Sequence, residues 1–460
     1  MAVPSAVRSC ARRPLPASLI AAGLLLVLPQ AYAQTYTPAD PVLYWHQVAA
    51  TAPVVVRHGG PYQQFRALAM VQLAVHDALN AIDPRFKTYS TVPTAPASAS
   101  PNAAVAAAAH DVVLGLIPPN ADPAHPNSVA RLAVQNAYTA ALAAIADGTA
   151  ENDGVAAGQA AAAAILTTRT NDGSASPHIP AYVGANIAGR YQSTEPYGSA
   201  APQFSNWAAT APFVVQSATQ FHVPPGEIFD LSGDAYASEY NQVKQQGDAR
   251  KRAAAPNSHH SDVARFWYHG GVDWHTNARL ILPGFDLDWW QQARTLALMA
   301  VSMADAGIAN AQSKYAYAFW RPVTAIRWAN DGNPRTQPDP NWLPFITVPP
   351  YPDYPCGSTG AAGAATTALR LALGTNHAPF TRTVNAPALP LTGQAWPAGL
   401  PGVPAKAITR TYHSLQQAAN EVGKSRVYAG IHFWEGCQAG TVQGEMTAEY
   451  IYPRILQPAQ

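Results

Sequence analysis

Residues 63–82 read QQFRALAMVQLAVHDALNAI. Phe65, Leu68, Val71, Val75, Leu79 and Ile82 return at steps of three and four, the spacing that gathers side chains on one face of an α-helix. Pro84 closes the stretch, because proline lacks the N–H that a continuing helix needs. Outward from here the pattern repeats. Residues 103–117 are alanine-rich and stop at Pro118-Pro119. Residues 128–146 and 155–167 read as two antiparallel helices turning at Asp147-Gly148, with small residues that allow close approach. Helical periodicity resumes over 235–246, 260–268 and 286–321, and an alanine-rich helix spans 360–373 and ends at Gly374. Strand alternation is nearly absent, so the fold class is all-α.

Two stretches interrupt the helices. Residues 170–227 are rich in Pro, Gly, Ser and Asn with scattered aromatics, which predicts a long ordered loop wrapping the bundle. Residues 376–404 are Pro-rich and join two helical blocks, as a connector rather than a lid.

The chain has 460 residues, with 28 Lys and Arg against 27 Asp and Glu and a net charge of +1. Without a basic stripe, nucleic acid has no electrostatic footprint to bind. Arg8, Arg12 and Arg13 precede an apolar run over 17–28 and the small-x-small site Ala31-Tyr32-Ala33, the pattern of an export signal. Residues 1–33 are therefore set apart, and the mature chain is expected to start near Gln34 in a secreted or periplasmic setting. Beyond the signal no apolar stretch approaches the ~20 residues that a membrane-crossing helix needs. Residues 34–250 are read as an N-terminal helical region and 251–460 as a C-terminal helical core that carries the site. Cys10 falls in the signal. Cys356 and Cys437 remain, as one disulfide or as two buried free thiols.

Three segments of the C-terminal third carry chemistry. Residues 314–322 read KYAYAFWRP. Seven residues make close to two helical turns, so Lys314 and Arg321 share a face, and Pro322 ends the helix with Arg321 in its last turn. Two such cations suit a tetrahedral oxyanion, Arg as a planar fork and Lys as a point charge. Residues 351–359 read YPDYPCGST. A Pro-rich turn runs into Gly357, which lets the backbone come close to a ligand, and Ser358 or Thr359 is a natural N-cap. The free N–H groups and positive dipole end of the following helix favour an anion. Residues 425–433 read SRVYAGIHF and add Arg426 and His432. A neutral imidazole can ligate a metal or attack phosphorus.

In this order the segments resemble the signature of the vanadium-dependent haloperoxidase and type 2 phosphatidic acid phosphatase superfamily: Lys-x6-Arg-Pro, Pro-Ser-Gly-His, Ser-Arg-x5-His. Lys-x6-Arg-Pro running into Val323-Thr324-Ala325-Ile326-Arg327 and Ser-Arg-x5-His-Phe are the specific pair. Residues 67–84 and 266–278 look like the bacterial secreted branch. The resemblance implies a helical-bundle architecture of the haloperoxidase and acid phosphatase type. It also implies that Lys314, Arg321 and Arg426 hold the oxygens of vanadate, or of phosphate as the alternative occupant, that the Gly357 N–H adds a hydrogen bond, and that Cys356 and Ser358 stand beside them. His432 would bond vanadium in a peroxidase that takes hydrogen peroxide and a halide or small organic substrate, or become a phosphohistidine in a phosphatase.

The middle motif departs from the family. It is Pro-Cys-Gly-Ser, so Cys356 stands at the serine and Ser358 at the acid–base histidine. A thiol still donates weakly. A hydroxyl does not titrate near neutrality, and loss of a general acid–base group costs about 10²–10⁴ in rate. Oxyanion binding needs only the cations, the backbone and His432. Impaired halide oxidation therefore ranks above acid phosphatase activity through His432, with non-catalytic oxyanion binding as a further alternative. His377 is the nearest substitute histidine in sequence, though helical geometry sets it far along the chain.

Other histidines are set aside. His76-Asp77 and His110-Asp111 are helix neighbours whose side chains point apart, so neither is expected to form a dyad. His259-His260 reads as solvated loop. Trp267, Trp274, Trp289 and Trp290 read as packing residues. No Gly-rich phosphate loop and no Gly-x-Ser-x-Gly elbow is present.

Overall fold

Proline sits in the first turn of helix after helix in the N-terminal half, where its missing N–H costs nothing and its fixed φ suits the helix. Such starts open α1 (Pro41–Ala50), α3 (Pro61–Ile82), α4 (Pro101–Leu116) and α5 (Pro126–Leu142), with the short α2 (Ala52–Val55) between the first two. The computed structural model describes residues 37, 39–177, 186–198, 202–268 and 272–459. The expected export signal over residues 1–33 lies outside them. No helix among the described residues is long and apolar enough to cross a membrane.

The remaining helices are α6 (Thr149–Thr168), α7 (Asp234–Gln246), α8 (Ala249–Ala254), α9 (His259–Phe266), α10 (Asp273–Ile281), α11 (Trp289–Tyr317), α12 (Pro322–Arg327), α13 (Gly357–Leu373), α14 (Leu415–Tyr428) and α15 (Trp434–Ile451). The central element is α11, started by a capping box of Asp288 and Gln291 and buried along most of its length. Helices α3, α13 and α15 pack around it. One apolar cluster runs from Val42 to Leu456 across both sides of residue 250. A second gathers Tyr236, Trp320, Phe345, Tyr354, Ile431 and Phe433 beneath the site.

Small residues decide how closely the helices pack. A Cβ at Gly440 would lie 2.3 Å from the Cys356 carbonyl oxygen, and one at Gly444 would lie 2.0 Å from that of Gly360. Only glycine permits this contact of α15 with the start of α13. Glycine works the same way in α6, where Cβ atoms at Gly154 and Gly158 would each lie 2.3 Å from backbone oxygens of Ser100 and Ala104. The partner of α6 is therefore α4, and also α3, not the antiparallel neighbour α5 that the turn at Asp147-Gly148 suggested.

Three further expectations change. The helix read over 286–321 ends at Tyr317, because Ala318 is left-handed with φ 50°. Pro322 then opens α12 instead of ending a helix, and Arg321 is its N-cap residue. Strands do occur: β1 (Phe380–Ala386) pairs antiparallel with β2 (Lys406–Tyr412), with Val384 opposite Ile408. Phe380, Arg382, Val384 and Ala386 are buried in alternation, a period-two signal too short to stand out beside the helices. The described parts of 170–227 form the wrapping segment expected, with Phe204, Trp207 and Phe213 in the core.

Candidate oxyanion site

Arg321 and Lys314 meet by a route different from a shared helix face. The left-handed residue at 318 turns the chain out of α11, and Arg321 re-enters fully buried at the start of α12. Its Nε donates to the Tyr351 carbonyl at 2.8 Å, and its Nη1 donates to the Ile431 carbonyl at 2.8 Å and lies 2.9 Å from His432 Nε2. Its Nη2 is buried without a partner. Lys314, also buried, donates to the carbonyls of Pro352 (3.0 Å), Asp353 (2.9 Å) and Pro355. All three ammonium protons are thus engaged, and Lys314 brings charge to the centre more than a free hydrogen bond. Burial, followed by the charge of Arg321, lowers its pKa to about 7.

The Tyr351 ring joins the two cations, with its centroid 5.3 Å from Lys314 Nζ and 5.0 Å from Arg321 Cζ. Arg426, in the last turn of α14, is the third cation. Its Nε donates to Ser425 Oγ at 3.0 Å and its Nη2 to the Trp267 carbonyl, and its charge acts on Tyr351, Cys356 and Cys437. Burial lowers the Arg426 pKa, yet guanidinium stays charged throughout the ordinary pH range.

His432 occupies the turn between α14 and α15. With Arg321 donating at Nε2, the imidazole proton belongs on Nδ1, which lies 3.0 Å from Asp353 Oδ1 at an angle that makes no hydrogen bond. Asp353 is itself fully buried, 3.7 Å from Arg321 Nη1. It is the carboxylate beside both Arg321 and His432, and its charge favours the imidazole proton on Nδ1. Asp353 and Tyr351 are residues of this centre to which the sequence alone assigned no role. The available signal was an acid three residues before Cys356 in a segment otherwise suited to anions.

Helix α13 begins at Gly357 with Cys356 as its N-cap residue, not Ser358 or Thr359. The Thr359 hydroxyl instead donates to the Cys356 carbonyl at 3.1 Å. Gly357 is required for space: a Cβ there would stand 2.9 Å from the Tyr62 hydroxyl, which donates to Asn310 Oδ1. Ser358 lies half-buried in the first turn. Burial pushes the Cys356 thiol up, but a hydrogen bond from Cys437, contact with His432 and the charge of Lys314 together hold it well below the usual thiol range. Burial and the hydrogen bond to Cys356 push Cys437 the other way. Both cysteines are free thiols. His377 is exposed beyond the opposite end of α13, about 25 Å away along 17 residues, so it does not stand in for the missing histidine.

The structure therefore brings Lys314, Arg321, Arg426, His432, Cys356 and Gly357 to one centre. Away from it, His76 Nδ1 lies 3.1 Å from Asp77 Oδ1 and His110 Nδ1 2.7 Å from Asp111 Oδ1, so these neighbours do pair. Asp77 also accepts from Tyr89 and Ser90, while His110 meets Gln135 and stacks on Tyr138, which makes both pairs structural. His259 is exposed as expected and His260 half-exposed, but they open α9 rather than lie in a loop, and His260 stacks on Tyr428 with ring centroids 3.9 Å apart. Trp267 and Trp274 stack in the core as expected. No group of three or more His, Cys, Asp or Glu able to hold a metal occurs among the described residues.

Residues 294–460 match the family described as VCPO second helical-bundle domain. The vanadium chloroperoxidase of Curvularia inaequalis is 39% identical over 77 residues, 14% of this chain and 12% of that protein, so the match spans a small part of that relative. The crystal structure of a bacterial vanadium-dependent iodoperoxidase aligns with a TM-score of 0.73 at 21% identity, covering 94% of this chain and 100% of that one. A holo-type bacterial vanadium-dependent chloroperoxidase aligns at 0.65 and 18% identity, covering 92% and 97%. Residues 294–460 are thus similar to the VCPO second helical-bundle domain, in a chain that has the fold of the bacterial vanadium-dependent haloperoxidases.

Proposed function

We propose that this chain binds vanadate at the centre formed by Lys314, Arg321, Arg426, Gly357 and His432 and oxidises halide or a small organic substrate with hydrogen peroxide, at a reduced rate. The observation that carries the reading is the buried Arg321 Nη2 with no partner, set beside His432 Nε2. A buried guanidinium N–H without an acceptor costs about 1–3 kcal/mol, which an oxyanion oxygen there would recover. Arg321 and Arg426 stay charged throughout the ordinary pH range and Lys314 adds its charge below about pH 7, which favours a negative guest.

Arg321 and Arg426 would hold oxygens through N–H groups, Lys314 would add charge, and the first N–H groups of α13 with Cys356 would complete the cradle. His432 would offer Nε2 to the metal once Arg321 Nη1, which donates to it here, turns to an oxyanion oxygen, and the Asp353 charge would favour the proton on Nδ1. Bound vanadate supplies a Lewis-acidic metal at which peroxide becomes able to oxidise a halide by two electrons. Ser358 leaves proton delivery without a group that titrates near neutrality, which is why slow turnover is expected. The same observation favours a second reading, oxyanion binding without turnover.

The test is peroxide-dependent bromination or iodination of a dye, with and without added vanadate, run beside hydrolysis of a chromogenic phosphate ester. Halogenation that requires vanadate supports the proposal. Vanadate binding without halogenation leaves the second reading. Ester hydrolysis inhibited by vanadate would replace both with acid phosphatase activity through His432.

A further inference from the structure

The same centre holds a feature that oxyanion binding does not explain, a second cysteine beside Cys356. Cys356 and Cys437 stand at the starts of neighbouring helices, and the close contact of α13 and α15 is enforced by glycine at 440 and 444. The Cys356 N–H donates to the Gly436 carbonyl at 2.8 Å, one peptide before Cys437. Both side chains are buried, and the two thiols interact. The backbone bond from Cys356 to Gly436 and the close approach at Gly440 set the two cysteines on adjoining backbones, the arrangement that a disulfide between neighbouring helices needs. They also differ in surroundings. Cys356 faces His432, Lys314 and Arg426, whereas Cys437 sits behind it against Gly423.

The geometry points to a redox-active dithiol, in which Cys356 and Cys437 close to a reversible disulfide when hydrogen peroxide reaches this centre. The Cys356 sulfur attacks one peroxide oxygen and the O–O bond breaks. The other oxygen leaves as water with the thiol proton, and Cys356 becomes a sulfenic acid. The Cys437 sulfur then attacks the Cys356 sulfur, the S–O bond breaks, and the hydroxyl leaves as a second water with the Cys437 proton. In sum, two thiols and one peroxide give one disulfide and two waters; the thiols lose two electrons and the peroxide gains them. Cys356, which faces the centre, meets peroxide first, and Cys437, set against Gly423, is the resolving partner. This inference needs only thiols and peroxide, and it stands whether or not vanadate binds.

The experiment uses the full folded protein, reduced with dithiothreitol without denaturant and freed of reductant. It is treated with hydrogen peroxide from one equivalent upward, blocked with an alkylating agent and digested for mass spectrometry. The expected result is a Cys356–Cys437 cross-linked peptide that appears with peroxide and returns to two alkylated cysteines after dithiothreitol. In Cys437→Ser, the Cys356 peptide should carry a sulfenic acid trapped by dimedone. If both cysteines of the wild type stay reduced under excess peroxide, or are joined by a bridge that dithiothreitol does not open in the folded protein, the inference is overturned. The wild-type result decides it even if the variant does not fold.

Discussion

Lys314 gives the sharpest test of the electrostatics, because its ammonium is buried beside Arg321 and its pKa falls from the ordinary 10.5 to about 7. Below pH 7 the folded and unfolded chains both carry the proton, and the cost of the buried charge is fully present. Between pH 7 and 10.5 the unfolded chain binds one proton more than the folded chain, so this residue makes stability climb as pH rises. From pH 6 to pH 9 the climb covers about two pH units at about 1.4 kcal/mol each, or about 3 kcal/mol. Lys314→Met removes the titration. It also strips a donor from the carbonyls of Pro352, Asp353 and Pro355, which shifts the whole curve by an amount that does not vary with pH. The assay is urea unfolding of both proteins at pH 6, 7.5 and 9 in phosphate-free buffer. The wild type should gain about 3 kcal/mol relative to the variant across that range, and saturating vanadate, by holding the proton on Lys314, should flatten the difference. Stability curves that run parallel from pH 6 to pH 9 would refute a buried lysine that titrates near neutrality.

Ser358→His returns a titrating group to the first turn of α13, and vanadate-dependent halogenation should rise by about 10²–10⁴ in kcat; an unchanged rate in a variant that still binds vanadate would place the defect elsewhere. Arg321→Lys exchanges a planar fork for a point charge and should weaken vanadate by about 1.5–3 kcal/mol, or roughly 10- to 100-fold in Kd, by equilibrium titration. Gly440→Ala drives a methyl to within 2.3 Å of the Cys356 carbonyl. By forcing α15 off α13 it should lower stability by about 1–3 kcal/mol or more in thermal unfolding, and it should suppress the peroxide-induced cross-link.

The sequence displayed the helices plainly, since runs such as 63–82 carry a three-and-four repeat that needs no partner to be read. It displayed less well where one helix stops. Ala318 has no composition that marks it as left-handed, so 286–321 read as a single rod and placed Arg321 on the wrong element. The residue still reached Lys314, because the segment 351–355 supplies carbonyls and the Tyr351 ring to both. Pairing between helices was hidden for a similar reason: Gly154 and Gly158 select α4 by shape, whereas chain proximity suggested α5. Lys314, Arg321, Arg426 and His432 were visible as chemistry with spacing. Asp353 was not, because one carboxylate in a Pro-rich turn carries no period and gains meaning only when His432 folds to within 3.0 Å of it. The contact of the two cysteines belongs to the same class, since it depends on a glycine-mediated approach of helices about 80 residues apart.

The most direct measurement is calorimetric titration of orthovanadate into the folded protein at pH 7 in phosphate-free buffer, repeated with His432→Ala and Arg321→Lys. One vanadate per chain is expected, displaced by phosphate, with affinity lost in the first variant and weakened in the second. Absence of binding at millimolar vanadate, or binding that neither substitution alters, would contradict an oxyanion centre at these residues.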